Sequence, residues 1–159
     1  MERRAQLKRW AGHPLFVFSA FTTWFRHYDK SQPRFEVVGA AGDRVPGYFT
    51  IVQNTNPYTF LGNRPLDLVP EATLDRGLAA VTFKSLGFDK VLRGAASALA
   101  GNDIRRLRFL DVRTDLDALE VVATDDQPFP YQVDGDYLGE IKHLEFRHEP
   151  DALRLVLPG

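Results

Sequence analysis

Residues 34–52 read RFEVVGAAGDRVPGYFTIV and set the pattern for most of the chain. Two short runs rich in β-branched and aromatic residues, Phe35–Val38 and Tyr48–Val52, flank the small and turn-forming residues Gly39–Asp43. Short apolar runs separated by turn residues are typical of antiparallel sheet. We therefore predict two strands here, with a hairpin connection at Gly39–Asp43.

The same pattern continues towards the C-terminus, where six further runs of this type follow: Leu78–Phe83, Arg106–Val112, Leu119–Ala123, Tyr131–Val133, Ile141–Phe146 and Leu153–Leu157. Within the run Ile141–Phe146, Leu144 and Phe146 are expected to form the apolar face. Many short strands with turn signals between them favour a sandwich or a barrel over a parallel sheet.

Two segments have helical patterns instead. His13–Tyr28 is apolar around nearly its whole circumference, which indicates either burial on more than one side or a helix lying in a membrane interface. Gly87–Ala100 has apolar residues at helical spacing on one face, and Gly101 stands where a left-handed C-terminal cap belongs. The predicted fold class is mainly β (α+β). It is an antiparallel β-sandwich with an N-terminal helix and one amphipathic helix packed on it, in a single domain of residues 1–159.

Composition excludes several classes of protein. Hydrophobic residues make up 44% and charged residues 26%, as in globular proteins. The longest charge-free apolar run, Pro14–Phe25, has 12 residues, and a transmembrane helix needs about 20. There are no cysteines, which excludes disulfides and thiolate metal sites and fits a reducing compartment.

The net charge of −1 argues against a nucleic-acid partner. It is unevenly spread, because residues 1–30 carry six basic side chains against two acidic ones and so have a net charge of +4. The N-terminal segment is therefore basic and aromatic, and the rest of the chain is mildly acidic.

The common phosphate-binding and hydrolase motifs are absent from the sequence. There is no Gly-x-Gly-x-x-Gly, Gly-x-x-x-x-Gly-Lys-Ser/Thr or Gly-x-Ser-x-Gly, and the four histidines have no metal-binding spacing. We therefore do not expect this chain to bind ATP by itself.

Four segments remain as candidates for function. The acids of Val133-Asp134-Gly135-Asp136-Tyr137 fit a two-residue hairpin turn, and they could equally deprotonate or orient a substrate hydroxyl. Pro57–Pro65 begins a long turn-rich segment. Pro70–Gly77 is expected to be a surface loop. The fourth is a group of arginines that fits a solvated strand face or an anion or lipid-headgroup contact: Arg105, Arg106, Arg108 and Arg113.

Two of these segments, together with a third motif near the end of the chain, resemble in their order the C-terminal domain of the diacylglycerol kinase catalytic family, the bacterial lipid kinases related to sphingosine kinases. They are Pro70–Gly77 before an apolar strand, Val133–Asp136, and Glu149–Val156 near the end of the chain. The segment Leu7–Tyr28 is similar to the helix that leads into the family's β-sandwich.

The resemblance implies an ATP-dependent kinase that transfers a γ-phosphoryl group to the hydroxyl of a diacylglycerol-like lipid. In that family, ATP and Mg²⁺ lie on an N-terminal domain with a Gly-Gly-Asp-Gly-Thr motif, which this sequence lacks. The chain would then be the lipid-acceptor half, inactive alone, cytoplasmic and peripherally associated with the membrane. A homodimer formed through exposed strand edges is also possible.

The resemblance also implies the site residues. The family's Asp-Gly-Glu corresponds to Asp134-Gly135-Asp136, so the shorter Asp136 stands where the family has glutamate. Either Asp136 or Asp134 would be the base or orienting group for the lipid hydroxyl. Arg76 stands where the family usually has a second acid. The alternative function is a non-catalytic β-sandwich that binds a lipid or a protein through the Pro57–Pro65 loop and the aromatic helix.

Overall fold

The structure is a computed structural model that describes residues 31–61 and 63–152. In chain order the elements are β1 (Phe35–Gly39), β2 (Arg44–Gly47), β3 (Phe49–Gln53), β4 (Thr59–Leu61), β5 (Arg64–Leu66), β6 (Leu78–Phe83), α1 (Phe88–Leu99), a 3₁₀ turn (Ile104–Arg106), β7 (Leu110–Leu116), β8 (Ala118–Ala123), β9 (Phe129–Val133), β10 (Asp136–Ile141) and β11 (His143–Arg147).

All strand pairs in the described part of the chain are antiparallel. A four-stranded sheet has the order β11-β8-β1-β2, and a three-stranded sheet has the order β3-β6-β7. Two separate two-stranded ribbons are formed by β4 with β5 and by β9 with β10. The mainly β prediction is confirmed, with antiparallel sheets and one helix in the described residues.

Strand β6 contributes to two hydrophobic clusters, because successive side chains of a strand point to opposite faces. Val81 and Phe83 belong to a cluster with helix-side residues such as Ala98 and Ile104. Ala80 belongs to a second cluster, which also contains residues of the four-stranded sheet: Phe35, Val37, Leu119, Val121 and Phe129. The three-stranded sheet therefore packs against α1 on one face and shares a core with the four-stranded sheet on the other. That the two sheets together form a β-sandwich stays a prediction.

The chain passes from one sheet to the other at Gly47. The carbonyl of Gly47 accepts from Arg34 N at 3.2 Å, whereas the next amide, Tyr48 N, donates to Phe83 O at 2.9 Å. A Cβ on Gly47 would lie 2.5 Å from the Phe35 ring and 2.9 Å from the methyl of Thr82. Only glycine leaves room for the two sheets to approach this closely.

The structure confirms several elements predicted from the sequence. Strands occur at the predicted runs Phe35–Val38 and Leu78–Phe83, and Gly39–Asp43 is a hairpin connection. The hairpin joins β1 to β2, however, and the predicted run Tyr48–Val52 forms β3 in the other sheet. The helix predicted over Gly87–Ala100 is α1. It ends at Gly101, which has a φ of +67°. The amides of Gly101 and Asn102 donate to Ala98 O and Ser97 O, which is the Schellman pattern.

Other predicted bounds were wrong. The predicted strand Arg106–Val112 begins only at Leu110, because residues 104–106 form a 3₁₀ turn. Asp103 caps that turn by accepting a hydrogen bond from Arg105 N at 3.0 Å. The predicted single strand Ile141–Phe146 is divided between β10 and β11, with a bend at Lys142 whose carbonyl accepts from Ala123 N.

Within β11 the predicted apolar face is correct. Leu144 and Phe146 are partly buried against the second cluster, and His143 and Glu145 between them are exposed. Strands β2, β4 and β5 were not predicted. The helix predicted at His13–Tyr28 and the strand predicted at Leu153–Leu157 lie outside the described residues. Over the described ranges, none of the helical segments has the length and apolar character that crossing a bilayer requires.

Candidate functional site

The acidic turn predicted at Asp134-Gly135 is the tip of the β9–β10 hairpin. Phe129 pairs with Ile141 at the base of this ribbon, and Val133 pairs with Asp136 beside the turn. Asp134 and Gly135 have φ values of +50° and +93°. A two-residue hairpin turn with positive φ at both positions favours Asp-Gly, since both residues tolerate that conformation. The predicted hairpin is therefore confirmed.

Both predicted site carboxylates, Asp134 and Asp136, are exposed at this tip. Neither takes part in an ion pair within residues 31–61 and 63–152. By contrast, Asp43, Asp111 and Asp126 are all held by cationic side chains. The hairpin therefore presents two acids whose oxygens are available to an incoming group.

The same hairpin exposes large apolar side chains. Val133, Tyr137 and Leu138 are each more than half exposed, while Phe129 at the base is buried. The register of the β9–β10 pair shifts between Tyr137 and Gly139, so Leu138 is an extra residue on its strand. Exposed apolar side chains next to carboxylates are an unusual combination for a solvent-facing turn, and they favour a ligand or partner surface.

The segment that begins at Pro57 forms the β4–β5 ribbon. Asn56 anchors it, since its side-chain amide donates to Asp67 Oδ1 at 3.0 Å and its Oδ1 accepts from Val69 N at 3.3 Å. Beyond this anchor, Tyr58 N donates to Leu66 O at 3.2 Å. The predicted long loop is thus a short ribbon held at its base, with Tyr58 and Phe60 exposed along β4.

The hydroxyl of Tyr58, beside this ribbon, is affected by the charge of Asp134 at the hairpin tip. Partial burial raises the pKa of the Tyr58 hydroxyl above its ordinary value of 10.0, and the negative charge of Asp134 raises the pKa further. About 41% of the residue nevertheless stays exposed. Asp134 and Tyr58 belong to two segments that the sequence singled out separately, and sequence reasoning gave no signal that the charge of one affects the other.

We expect Asp134→Asn to lower the pKa of Tyr58 while leaving it above 10.0, because the burial effect remains after the charge is removed. Titration of ¹³C-labelled tyrosine by NMR measures this directly. Asp136→Asn is the matched control, since Asp136 is not among the causes of the shift. An unchanged Tyr58 pKa in Asp134→Asn would show that the two segments are not neighbours in solution.

The second predicted motif, Pro70–Gly77, is closely attached to the body at both ends. Glu71 accepts a 2.8 Å hydrogen bond from Arg105 Nη1, and this bond holds the pKa of Glu71 below its usual range. Ala72 is buried, and Gly77 N donates to Asp115 Oδ1 at 3.1 Å. Within the predicted surface loop, the exposed positions are Pro70 and residues 73–76.

The arginine group is divided by the fold. Arg113 is largely buried between Asp43 and Asp111, with its Nε 2.9 Å from Asp111 Oδ1. Arg105 pairs with Glu71, while Arg106 and Arg108 are exposed. Two of the four arginines thus hold acids of this chain. The predicted solvated strand face is wrong, because the three exposed arginines precede β7 and the one arginine on that strand is largely buried. An anion contact at Arg106 and Arg108 stays a prediction.

An open groove of about 500 Å³ lies on the outer face of the four-stranded sheet. Its charged lining is paired internally, with His143 Nε2 2.9 Å from Glu120 Oε2 and Lys142 Nζ 2.6 Å from Asp126 Oδ1. These pairs occupy the groups that would otherwise bind a charged ligand. The hairpin tip, whose acids have no ion pair among the described residues, is therefore the better candidate site.

No group of three or more His, Asp or Glu side chains in the described part of the chain is placed to hold a metal ion. Asp134 and Asp136 alone are only two donors. The described residues at the tip thus do not make a Mg²⁺ site.

No protein-family model matches this chain, and no curated protein matches it.

Proposed function

We propose that this chain is the lipid-acceptor half of an ATP-dependent lipid kinase that phosphorylates the hydroxyl of a diacylglycerol-like lipid. One observation carries the proposal: the turn that resembles the family's Asp-Gly-Glu presents two exposed carboxylates, without an ion pair to any described residue, beside exposed apolar side chains. A diacylglycerol has the matching chemistry, since its one free hydroxyl adjoins two acyl chains.

The chemistry available at the tip is general-base catalysis. A carboxylate of Asp134 or Asp136 would accept the proton of the lipid hydroxyl as the hydroxyl oxygen attacks the γ-phosphorus of ATP and ADP leaves with the bridging oxygen. This proton transfer requires an O···O distance of about 2.6–3.2 Å. Val133, Tyr137 and Leu138 would contact the acyl chains next to the glycerol. Both acids stay candidates for the base, because both are exposed.

ATP and Mg²⁺ belong to the other half of the proposed enzyme. Phosphoryl transfer depends mainly on positioning and on charge stabilisation by the metal and the phosphate-binding loop. We therefore expect this chain alone to be inactive, and to supply the acceptor surface when joined to a nucleotide-binding domain. The enzyme would act in the cytoplasm, at the membrane surface where its lipid lies.

The test is diacylglycerol phosphorylation by the protein that contains this chain together with its nucleotide-binding domain. We expect Asp134→Asn or Asp136→Asn to lower the rate by about 10²- to 10⁴-fold, the usual contribution of a general base. Asp125→Asn is the matched control, because Asp125 is an exposed acid in a turn outside this hairpin. Full activity in both hairpin variants would rule out the proposed role.

The exposed apolar side chains also favour the second candidate, a non-catalytic module that binds a lipid surface or a protein. This function needs no nucleotide domain, so the isolated chain should bind by itself. Sedimentation with vesicles of anionic and of zwitterionic phospholipid, at low and high salt, separates the two functions. Saturable binding that does not require Asp134 or Asp136 would favour the module, and absence of binding under every condition would exclude its lipid-binding form.

A further inference from the structure

Four aspartates in the described part of the chain have a positive φ, and one of them is followed by glycine. With φ values between 50° and 58°, they are Asp115, Asp126, Asp134 and Asp151. Leucine, glutamine and alanine follow three of them, whereas glycine follows Asp134. The whole sequence contains no second Asp-Gly and no Asn-Gly. The hairpin tip therefore differs from the other three positions in the residue that comes after the aspartate.

This difference matters chemically, because the amide that follows an aspartate is a nucleophile placed next to the side-chain carboxyl group. The amide nitrogen and the Cγ atom can close a five-membered ring, and a side chain on the following residue hinders their approach. Glycine has no Cβ and adopts positive and negative φ about equally well, so it allows this closure most easily. A Cβ added to Gly135 would meet no atom within 4 Å, so the surrounding protein does not confine the turn.

Hydrogen bonds do not hold either reacting group in place. Within the part of the chain that the structure describes, the Gly135 amide donates to no acceptor and the Asp134 carboxylate accepts from no donor. By contrast, the carboxylates of Asp115 and Asp126 each accept a hydrogen bond, at 3.1 Å and 2.6 Å respectively. The carboxyl group of Asp134 is thus able to rotate towards the main chain.

We propose that Asp134 converts without an enzyme to isoaspartate through a cyclic imide, so that the hairpin tip is a modification site. The Gly135 nitrogen forms a bond to Cγ of the protonated Asp134 carboxyl group, and the carboxyl hydroxyl leaves as water with the amide proton. Water then opens the ring. Breakage of the N–Cγ bond restores aspartate, whereas breakage of the bond between the nitrogen and the main-chain carbonyl carbon leaves isoaspartate.

The conversion lengthens the main chain of the turn and keeps its charge. In isoaspartate the main chain runs through Cβ and Cγ, which adds a methylene between Val133 and Asp136, the residues that pair beside the turn. A two-residue hairpin turn depends on the dihedral angles of both its residues, so the longer main chain changes the tip. The free carboxylate is then attached to Cα and moves with it. This inference does not rest on the proposed kinase function.

Prolonged incubation of the full 159-residue chain at neutral pH and physiological temperature tests the proposal. A carboxyl methyltransferase specific for isoaspartate, with labelled S-adenosylmethionine, measures the amount formed, and electron-transfer fragmentation of proteolytic peptides locates it. We expect the label to accumulate with time at residue 134. Asp126 and Asp151 are matched controls in the same molecule, because both are exposed and have a positive φ. They should stay unmodified.

Two variants test the chemistry of the step. Asp134→Glu should remove nearly all label at this position, because the longer side chain would have to close a six-membered ring. Gly135→Asn keeps a residue that tolerates positive φ but adds a side chain beside the attacking nitrogen, and it should slow labelling several-fold. Circular dichroism during the incubation shows that each protein stays folded. Absence of label at residue 134, equal labelling of Asp126 or Asp151, or an unchanged rate in Gly135→Asn would overturn the proposal.

Discussion

Gly77→Ala is expected to lower the free energy of unfolding by about 3 kcal/mol, the upper range for forcing an extra methyl into a packed site together with the loss of a hydrogen bond. A Cβ at this position would lie 2.7 Å from Leu116 O and 2.8 Å from Leu116 N. Both are backbone atoms of β7, so no side chain can rotate away. Gly77 does not have a positive φ, and the requirement for glycine is one of space.

Chemical denaturation measures this effect, which should also appear as a fall of roughly 10 °C in Tm. Gly94→Ala is the matched control within α1, since a Cβ there would lie 3.8 Å from the Phe83 ring in ordinary contact. Replacing glycine by alanine inside a helix should raise stability by about 0.5–1 kcal/mol. Equal stability of Gly77→Ala and the wild type would contradict the close approach of residue 77 to β7.

Leu119→Ala is expected to lower the free energy of unfolding by about 2–5 kcal/mol, the range for truncating a buried leucine. Leu119 is 2% exposed and lies on β8, which pairs with β1 on one side and with β11 on the other. Its side chain belongs to the cluster that the two sheets share. Truncation of the side chain leaves a cavity beside β8, which is hydrogen-bonded to a strand on each edge. The surrounding strands therefore cannot move far enough to fill the cavity.

The control for this prediction is the same change at an exposed site. Leu74→Ala should alter stability by less than about 0.5 kcal/mol, since Leu74 is 69% exposed. If both variants unfold at the same denaturant concentration, Leu119 is not part of a packed core. Unfolding followed by circular dichroism gives both values from one set of curves.

The candidate site shows how far sequence reasoning extends. The Asp134-Gly135 turn was predictable because its conformation depends on two adjacent residues that tolerate positive φ. The exposure of Asp134 and Asp136 follows from their place at a hairpin tip. The effect of Asp134 on the pKa of Tyr58 was not predictable, because the two residues are 76 apart in the chain and their separation depends on the tertiary structure.

Predicted strand bounds were wrong where a local hydrogen bond stabilised a turn in residues whose composition favours a strand. Residues 106–109 have the composition of a strand, yet Asp103 caps the 3₁₀ turn at Ile104–Arg106, and the strand starts later. Short strands such as β4, with three residues, carry too little periodicity to be recognised. The sequence likewise placed Arg113 among solvent-exposed arginines, whereas in the fold its side chain is ion-paired to Asp43 and Asp111.

By itself the sequence determined the mainly β class, the amphipathic helix with its glycine cap and the acidic hairpin turn. Each of these follows from side-chain period or from the φ preference of one or two residues, which act locally. Tertiary structure alone decided that Gly77 lies against β7, that β6 contributes to two cores, and that the charge of Asp134 affects the pKa of Tyr58. These contacts join residues far apart in the chain, and their positions depend on how the two sheets and two ribbons pack together.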